Sequence, residues 1–255
     1  MIETTLLFGT IFSIASGGVY FYVGRSLSRR HVISPDARQA WTLFVIWWYA
    51  LASISFIGGI LNLLGAIGLA SLPLFLTFTQ VNLLVICIAL YGLMSYLVYL
   101  FTGNHKVLAS LGFVYVGYYV FLMYYVNLSE PISVSIGRWS VTLDYQQQPT
   151  GLLVTLLLAL IVGPQIIASL AYFSLYFRVK DTTQKYRIAM VSCSILIWFL
   201  SSFIVSLAGL NEYDGWQIIS RLIGLSAALA ILMAYQPIGW IRNHLGVSAI
   251  TEENN

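Results

Sequence analysis

The chain has few charged residues: Asp, Glu, Lys and Arg make up 8% of its 255 residues, whereas hydrophobic residues make up 59%. A water-soluble globule with so few charged residues could not bury this many apolar side chains. The mean hydropathy of +0.86 agrees with this conclusion. This amino-acid composition excludes a disordered segment, a collagen, a disulfide-rich secreted domain and an ordinary soluble enzyme. The sequence therefore indicates an integral membrane protein.

Cysteine and histidine are also scarce. Cys87 and Cys193 lie inside apolar runs without a second Cys or a His beside them, so neither a disulfide framework nor a thiolate metal site is predicted. The histidines His31, His105 and His244 fall at the ends of apolar segments, where they cannot act as paired haem ligands or a zinc triad. We expect no catalytic residue, no metal and no cofactor, and hence a protein that is not an enzyme.

Long apolar runs are what the sequence does contain. Seven of them reach the ~20 residues that cross a hydrocarbon core, and none shows the period-2 alternation of a barrel strand. We predict one all-α integral membrane domain over residues 1–255, a bundle of seven transmembrane helices. The predicted spans are residues 5–24, 39–67, 72–102, 107–126, 151–179, 187–210 and 215–242.

The positive charges give the predicted orientation. Loops on one side hold ten basic residues, whereas loops on the other side hold only Arg138. Because cytoplasmic loops carry the excess of Lys and Arg, we expect the N-terminus outside and the C-terminus inside, in the plasma (inner) membrane. An inner tail of residues 243–255 is too short for a signalling domain. The ten residues are Arg25, Arg29, Arg30, Arg38, Lys106, Arg178, Lys180, Lys185, Arg187 and Arg242.

One predicted loop, residues 127–150, is long enough to fold by itself, and it lies on the outer side between the fourth and fifth helices. Residues 132–136 and 139–143 alternate apolar and polar side chains around Gly137-Arg138. This pattern predicts a β-hairpin with a two-residue turn. The hairpin is interpreted either as a cap over helix ends or as a lid over a pocket.

The helix number and orientation resemble those of microbial rhodopsins and of seven-helix receptors. The resemblance implies a rhodopsin-like architecture, but the last span has no Lys to form a retinal Schiff base. Covalent retinal is therefore excluded. The segment Gln236-Pro237-Ile-Gly-Trp240 is similar to the Asn-Pro-x-x-Tyr motif of the receptors. Pro164 and Pro237 are predicted to kink their helices and to act as hinges.

Polar residues inside the spans are the strongest functional signal, because a charge in hydrocarbon costs ~3 kcal/mol or more unless it faces protein or water. Arg221 is such a charge, and Gln217 lies four residues earlier on the same helix face. Gln80 and Asn82 are about 200° apart around their helix, so only one can face Arg221. We favour Asn82. The predicted ligand-binding residues are Arg221, Gln217, Asn82, Gln80, Asn62 and Trp216.

Three functions are compatible with this pattern. The first is a receptor-like sensory or ligand-binding protein, whose outer pocket takes a polar or anionic ligand and signals to a separate protein at the inner face. The second is an accessory or scaffold subunit of a larger membrane complex, and the third is a carrier of small solutes or protons. In a structural alternative, Arg221 reaches the interface or pairs with Glu212 or Asp214. The basic loops are expected to contact anionic lipid headgroups rather than nucleic acid.

Overall fold

The computed structural model describes residues 4–29, 35–128, 130–146, 151–207 and 216–246. In this part of the chain the protein is mostly helical, with one two-stranded antiparallel sheet. The helices are α1 (Thr4–Ser28), α2 (Pro35–Ala66), α3 (Leu72–Thr102), α4 (His105–Leu128), α5 (Gly151–Ser174), α6 (Thr182–Leu207), α7 (Trp216–Tyr235) and α8 (Gly239–Leu245). Strands β1 (Pro131–Ile136) and β2 (Val141–Tyr145) lie between α4 and α5.

Five helical segments of the described chain are long and apolar enough to cross a bilayer. They lie in α1, α2, α3, α4 and α7, and a shorter apolar helical stretch, Val162–Phe177, begins in α5. Their length satisfies the requirement that a spanning helix must match the hydrocarbon thickness. The helical content and these segments support the prediction of an integral membrane protein.

The helices form a ring in which each element packs on its neighbours. α2 packs between α1 and α3, α5 packs on α3 and α6, and α7 joins α6 to α1. α4 packs mainly against α3 at the edge of this ring. The ring brings the beginning of α7 close to α1 and α2, although these elements are far apart in sequence.

Aromatic side chains fill the core within this ring. Trp47 and Trp48 of α2 are fully buried, and their ring centroids are 4.6 Å apart. Phe44 stacks on Tyr96 of α3 at 4.4 Å, and Trp198 of α6 lies 5.8 Å from Trp47. Closely packed rings make many van der Waals contacts, so this cluster links α2, α3 and α6.

The end of α7 differs from the prediction. The apolar pattern predicted one span over residues 215–242, whereas α7 ends at Tyr235 and α8 begins at Gly239. Pro237 lies between them and is buried. Proline has no backbone N–H and its ring excludes the preceding turn, so it ends the helix here instead of kinking it. Pro164 lies inside α5, which continues through it.

The hairpin also differs from the prediction in its turn. Ile136 pairs with Val141, so the strands are joined by the four residues 137–140 and not by a two-residue turn. The amide of Gly137 closes this loop by donating to the carbonyl of Ser140 at 2.9 Å. Trp139 is therefore in the loop and not in β2, and its carbonyl is directed at the helices. Trp139 and Val141 also bond to Asn62 of α2, a contact that the alternation of the strands does not encode.

Candidate ligand-binding cavity

A cavity of about 580 Å³ lies beneath β2, between α1, α2, α3, α6 and α7. Its lining includes three of the polar residues predicted from sequence, Arg221, Asn82 and Asn62. The hairpin covers it with Ser140, Val141, Thr142 and Leu143. A cavity of this volume lies within the range of small-molecule sites, which is 300 to 1,000 Å³.

Arg221 stands in the second turn of α7 and is partly buried. Its Nη1 donates to the backbone carbonyl of Gly9 in α1 at 3.0 Å, and Nη2 lies beside Gly58 of α2. A guanidinium has five N–H donors in a planar fork, and one of them serves this carbonyl. Glu212 and Asp214, the alternative partners named from sequence, lie outside the described residues.

Asn62 is buried where α2 meets the hairpin. Its Oδ1 accepts from the amide of Val141 at 3.0 Å, and its Nδ2 donates to the carbonyl of Trp139 at 3.4 Å. Both ends of the side-chain amide are thus used on the hairpin backbone. The geometry gives Asn62 the role of an anchor that positions the hairpin over the cavity.

Two glycines provide the surface on which the hairpin rests. A Cβ on Gly9 of α1 would collide with the carbonyl oxygen of Trp139, and a Cβ on Gly65 of α2 would collide with the side chain of Val141. Only a residue without a side chain permits so close an approach. Because Gly9 also accepts from Arg221, the hairpin, α1 and the arginine meet at one point.

Asn82 and Gln80 lie on different faces of α3, as their spacing of two residues requires. Asn82 lines the cavity, whereas Gln80 is partly buried and is not among the described lining residues. The Oδ1 of Asn82 is buried and has no hydrogen-bond partner within the described chain. Thr79 of α3 and Ser55 of α2 add hydroxyl groups to the same wall.

The residues that the beginning of α7 contributes to the cavity differ from the predicted ones. Trp216 is its first residue and is not among the described residues that line the cavity. Gln217 belongs to the helix, but its side chain lies outside the described part of the structure. Ser220, which the sequence reasoning did not select, lines the cavity next to Arg221. Serines are frequent in apolar helices, so the sequence alone gives no reason to place Ser220 in a binding site.

The inner end of the cavity is aromatic. Tyr20 of α1 and Trp198 of α6 line it, and their rings stack at 5.8 Å. Tyr20 also lies 6.1 Å from Trp48, so the cavity floor continues into the aromatic core. Sequence reasoning missed both residues, because an aromatic residue in a span gives no sign of whether it faces lipid or a cavity.

Gln165, the residue after Pro164, is fully buried away from this cavity. Its Nε2 donates to the hydroxyl of Tyr115 at 2.9 Å and approaches the carbonyl of Leu90 at 3.5 Å. The side chain thereby links α5 to α4 and α3. Among the described residues, no group of three or more His, Cys, Asp or Glu side chains is placed to hold a metal ion.

Comparison of the chain with protein-family models, with curated proteins and with solved structures yields no match. The class of protein is therefore defined by its own geometry. The described residues form a helical protein with segments suited to a membrane and with an open cavity that has the hairpin on one side and Arg221 in its wall.

Proposed function

We propose that this protein is a receptor-like, non-catalytic membrane protein that binds a small anionic or polar ligand in the cavity beneath the hairpin. The observation that carries the proposal is the position of Arg221, whose side chain lines the cavity from within α7. A charge at such a depth is costly unless it faces protein or water, and residues that bear this cost are usually functional. Asn82, Thr79 and Ser55 supply polar groups on the facing wall.

The proposal includes the topology predicted from sequence: seven passes, the N-terminus outside and the C-terminus inside, in the plasma membrane. The ten-to-one distribution of basic residues between the two sides supports it. In this orientation the hairpin and Arg221 lie on the outer side. The ligand then enters from outside, and the basic loops contact the inner leaflet.

The aromatic floor favours a receptor over a carrier. Among the described residues, Tyr20 and Trp198 end the cavity, and the packed cluster of Trp47, Trp48 and Phe44 continues below them. A carrier needs a path through this level, whereas a receptor needs a pocket with one entrance. A small-solute or proton carrier is therefore less favoured. A scaffold subunit is less favoured because it needs no polar cavity.

α7 is the proposed route from the cavity to the inner face, because it carries Arg221 near one end and Pro237 lies two residues beyond the other. Near that inner end, Tyr186 donates to the carbonyl of Met233 at 3.3 Å, and Gln236 donates to Ser26 of α1 at 3.1 Å. Movement of α7 on ligand binding would change these contacts. The proposed signalling partner is a protein at the inner face that binds differently when these contacts change.

Thermal unfolding in lipid nanodiscs tests the proposal. The panel is sodium phosphate, sulfate, acetate, octanoate and glutamate at constant ionic strength, with glucose as an uncharged molecule. We expect at least one anion to raise the melting temperature of the wild-type protein by about 5 to 10 °C when present at about 100 times its Kd. Arg221→Gln should abolish the rise, and Arg221→Lys should retain part of it.

Arg138→Gln is the matched control, because it removes an exposed arginine from the hairpin loop without changing the cavity. It should respond to the panel as the wild type does. A wild-type protein that no anion stabilises would contradict the receptor proposal and favour a scaffold. Equal stabilisation of Arg221→Gln and the wild type would place the bound anion elsewhere.

A further inference from the structure

Serine and threonine hydroxyls inside apolar helices commonly bond a backbone carbonyl of the preceding turn. Two exposed residues of this protein do so. Ser53 of α2 donates to the carbonyl of Tyr49 at 3.0 Å, and Thr77 of α3 donates to the carbonyl of Pro73 at 3.0 Å. Such a hydroxyl is satisfied by its own helix and needs no other partner.

Ser55 and Thr79 lie two residues further along the same helices and differ from these neighbours. Their side chains line the cavity, and neither forms a hydrogen bond within the part of the chain that the structure describes. A polar group between apolar helices needs a partner, which is either water or a bound molecule. Both hydroxyls are therefore available to a molecule in the cavity.

Asn82 adds an amide to these two hydroxyls. It lies three residues after Thr79, on the same face of α3 and about 4.5 Å further along the helix axis. It also lines the cavity, and its Oδ1 has no hydrogen-bond partner among the described residues. The torsion that orients an asparagine amide is soft, so either end can turn toward a ligand.

Other polar side chains of the lining are engaged elsewhere. Asn62 uses both ends of its amide on the hairpin backbone. Ser140, Ser220 and Arg221 each make a further interaction within the protein. Thr142 of β2 is exposed, so water can serve its hydroxyl. Hydrogen bonding to a ligand is therefore assigned to the group of Ser55, Thr79 and Asn82.

Apolar side chains occur along the whole cavity and are mixed with these polar ones. Ile54 directly precedes Ser55 in the wall, and apolar residues also accompany Asn62 beneath the hairpin. A ligand with one polar head and one apolar tail does not match this distribution. A carbon chain with a hydroxyl on each carbon offers polar and apolar surface along its full length. The apolar lining residues include Leu51, Ile54, Leu61, Phe75, Val141 and Leu143.

We infer that the cavity binds a polyhydroxylated small molecule, a polyol or a sugar acid, whose hydroxyls bond Ser55, Thr79 and Asn82. Hydroxyls and amides both donate and accept, so hydroxyls of the ligand can pair with each of them. A ligand without such groups would displace water and leave the three side chains unpaired, which weakens binding. The inference rests on the proposed ligand-binding function and names the chemical class of the ligand.

The test compares gluconate with hexanoate, because each has one carboxylate and six carbons and only gluconate has hydroxyls. Kd is measured by thermal shift in nanodiscs at constant ionic strength. We expect gluconate to bind the wild type at least tenfold more tightly than hexanoate. Ser55→Ala, Thr79→Val and Asn82→Leu should each lower gluconate affinity about tenfold, as expected for one lost hydrogen bond, and should not lower hexanoate affinity.

The same helices provide matched controls. Ser53→Ala and Thr77→Val remove the same hydroxyls where these bond the backbone. Gln80→Leu removes an amide from α3 outside the described lining of the cavity. All three controls should keep the wild-type preference for gluconate. Melting temperatures without ligand show that each variant is folded.

The outcomes separate this inference from the function on which it rests. If gluconate and hexanoate bind equally and both depend on Arg221, the ligand-binding function stands and the polyhydroxylated ligand is wrong. If the wild type prefers gluconate but Ser55→Ala, Thr79→Val and Asn82→Leu all keep that preference, the assignment of these residues is wrong. If neither these carboxylates nor any other anion binds, both proposals are overturned.

Discussion

Replacing Gly92 with alanine is expected to lower the melting temperature by about 4 to 8 °C, whereas the same replacement at Gly117 should leave it unchanged or raise it slightly. A Cβ on Gly92 would lie 2.6 Å from the carbonyl oxygen of Leu43 and 3.4 Å from the amide nitrogen of Trp47. Both are backbone atoms of α2, which cannot rotate away as a side chain can. The added methyl group must therefore push α2 and α3 apart.

The separation would disturb the aromatic core, because Phe44 and Trp47 lie next to this contact and pack against each other at 5.6 Å. Adding a group to a well-packed core costs about 1 to 3 kcal/mol, and about 2 kcal/mol corresponds to the expected shift for a chain of this length. Small residues permit close helix approach in membranes, where apolar burial between helices contributes little.

Gly117 provides the control because it is exposed on α4 and a Cβ there would meet no atom of the described chain within 4 Å. Alanine is the better helix former by about 0.5 to 1 kcal/mol. Thermal unfolding of both variants in the same nanodiscs, followed by tryptophan fluorescence, provides the measurement. Equal melting temperatures for Gly92→Ala and the wild type would mean that α2 and α3 do not meet at this glycine.

The helices could be predicted because their signal is local. Apolar runs identify membrane-compatible segments regardless of which helices become neighbours, and α3 begins and ends at the predicted residues, Leu72 and Thr102. The beginning of α6 could not be read from hydropathy. Asp181 caps it by accepting from the amide of Gln184 at 2.7 Å, so the helix begins at Thr182, five residues before the predicted start.

The candidate site could be predicted only in part, because the partners of a side chain depend on contacts between segments that are distant in sequence. Counting residues from the helix ends gave the depth of Arg221 and Asn82, and the structure brings both to one cavity. Depth does not reveal the partners of a side chain. Asn62 stands at a suitable depth too, but its amide bonds the backbone of a hairpin 77 and 79 residues away. Tyr20 and Trp198 line the floor because their rings, on helices far apart in sequence, stack there.

Replacing Asn62 with leucine is expected to release the hairpin and to lower the melting temperature by about 4 to 8 °C. The variant loses the bonds to Val141 and Trp139 and leaves a buried backbone N–H without its acceptor. An unpaired buried group costs about 1 to 3 kcal/mol. Hydrogen exchange should show faster exchange at the amides of β1 and β2, while the helices retain their protection.

Asn82→Leu is the matched control, since it makes the same replacement in the wall of the same cavity. The Oδ1 of Asn82 has no hydrogen-bond partner in the described chain, so its removal should leave the melting temperature unchanged or raise it. Equal hairpin exchange in the two variants would contradict an anchoring role for Asn62.

The Asn62→Leu variant also distinguishes a lid from a passive cap. If the hairpin closes the cavity over a bound anion, Asn62→Leu should weaken the binding of the anion that stabilises the wild type at least tenfold and speed its dissociation, although Arg221 itself is unchanged. A hairpin that only covers helix ends would let Asn62→Leu lose stability while it keeps wild-type affinity and dissociation rate. The contact of Trp139 with Gly9, whose carbonyl accepts from Arg221, joins the hairpin directly to the proposed anion site and favours the first result.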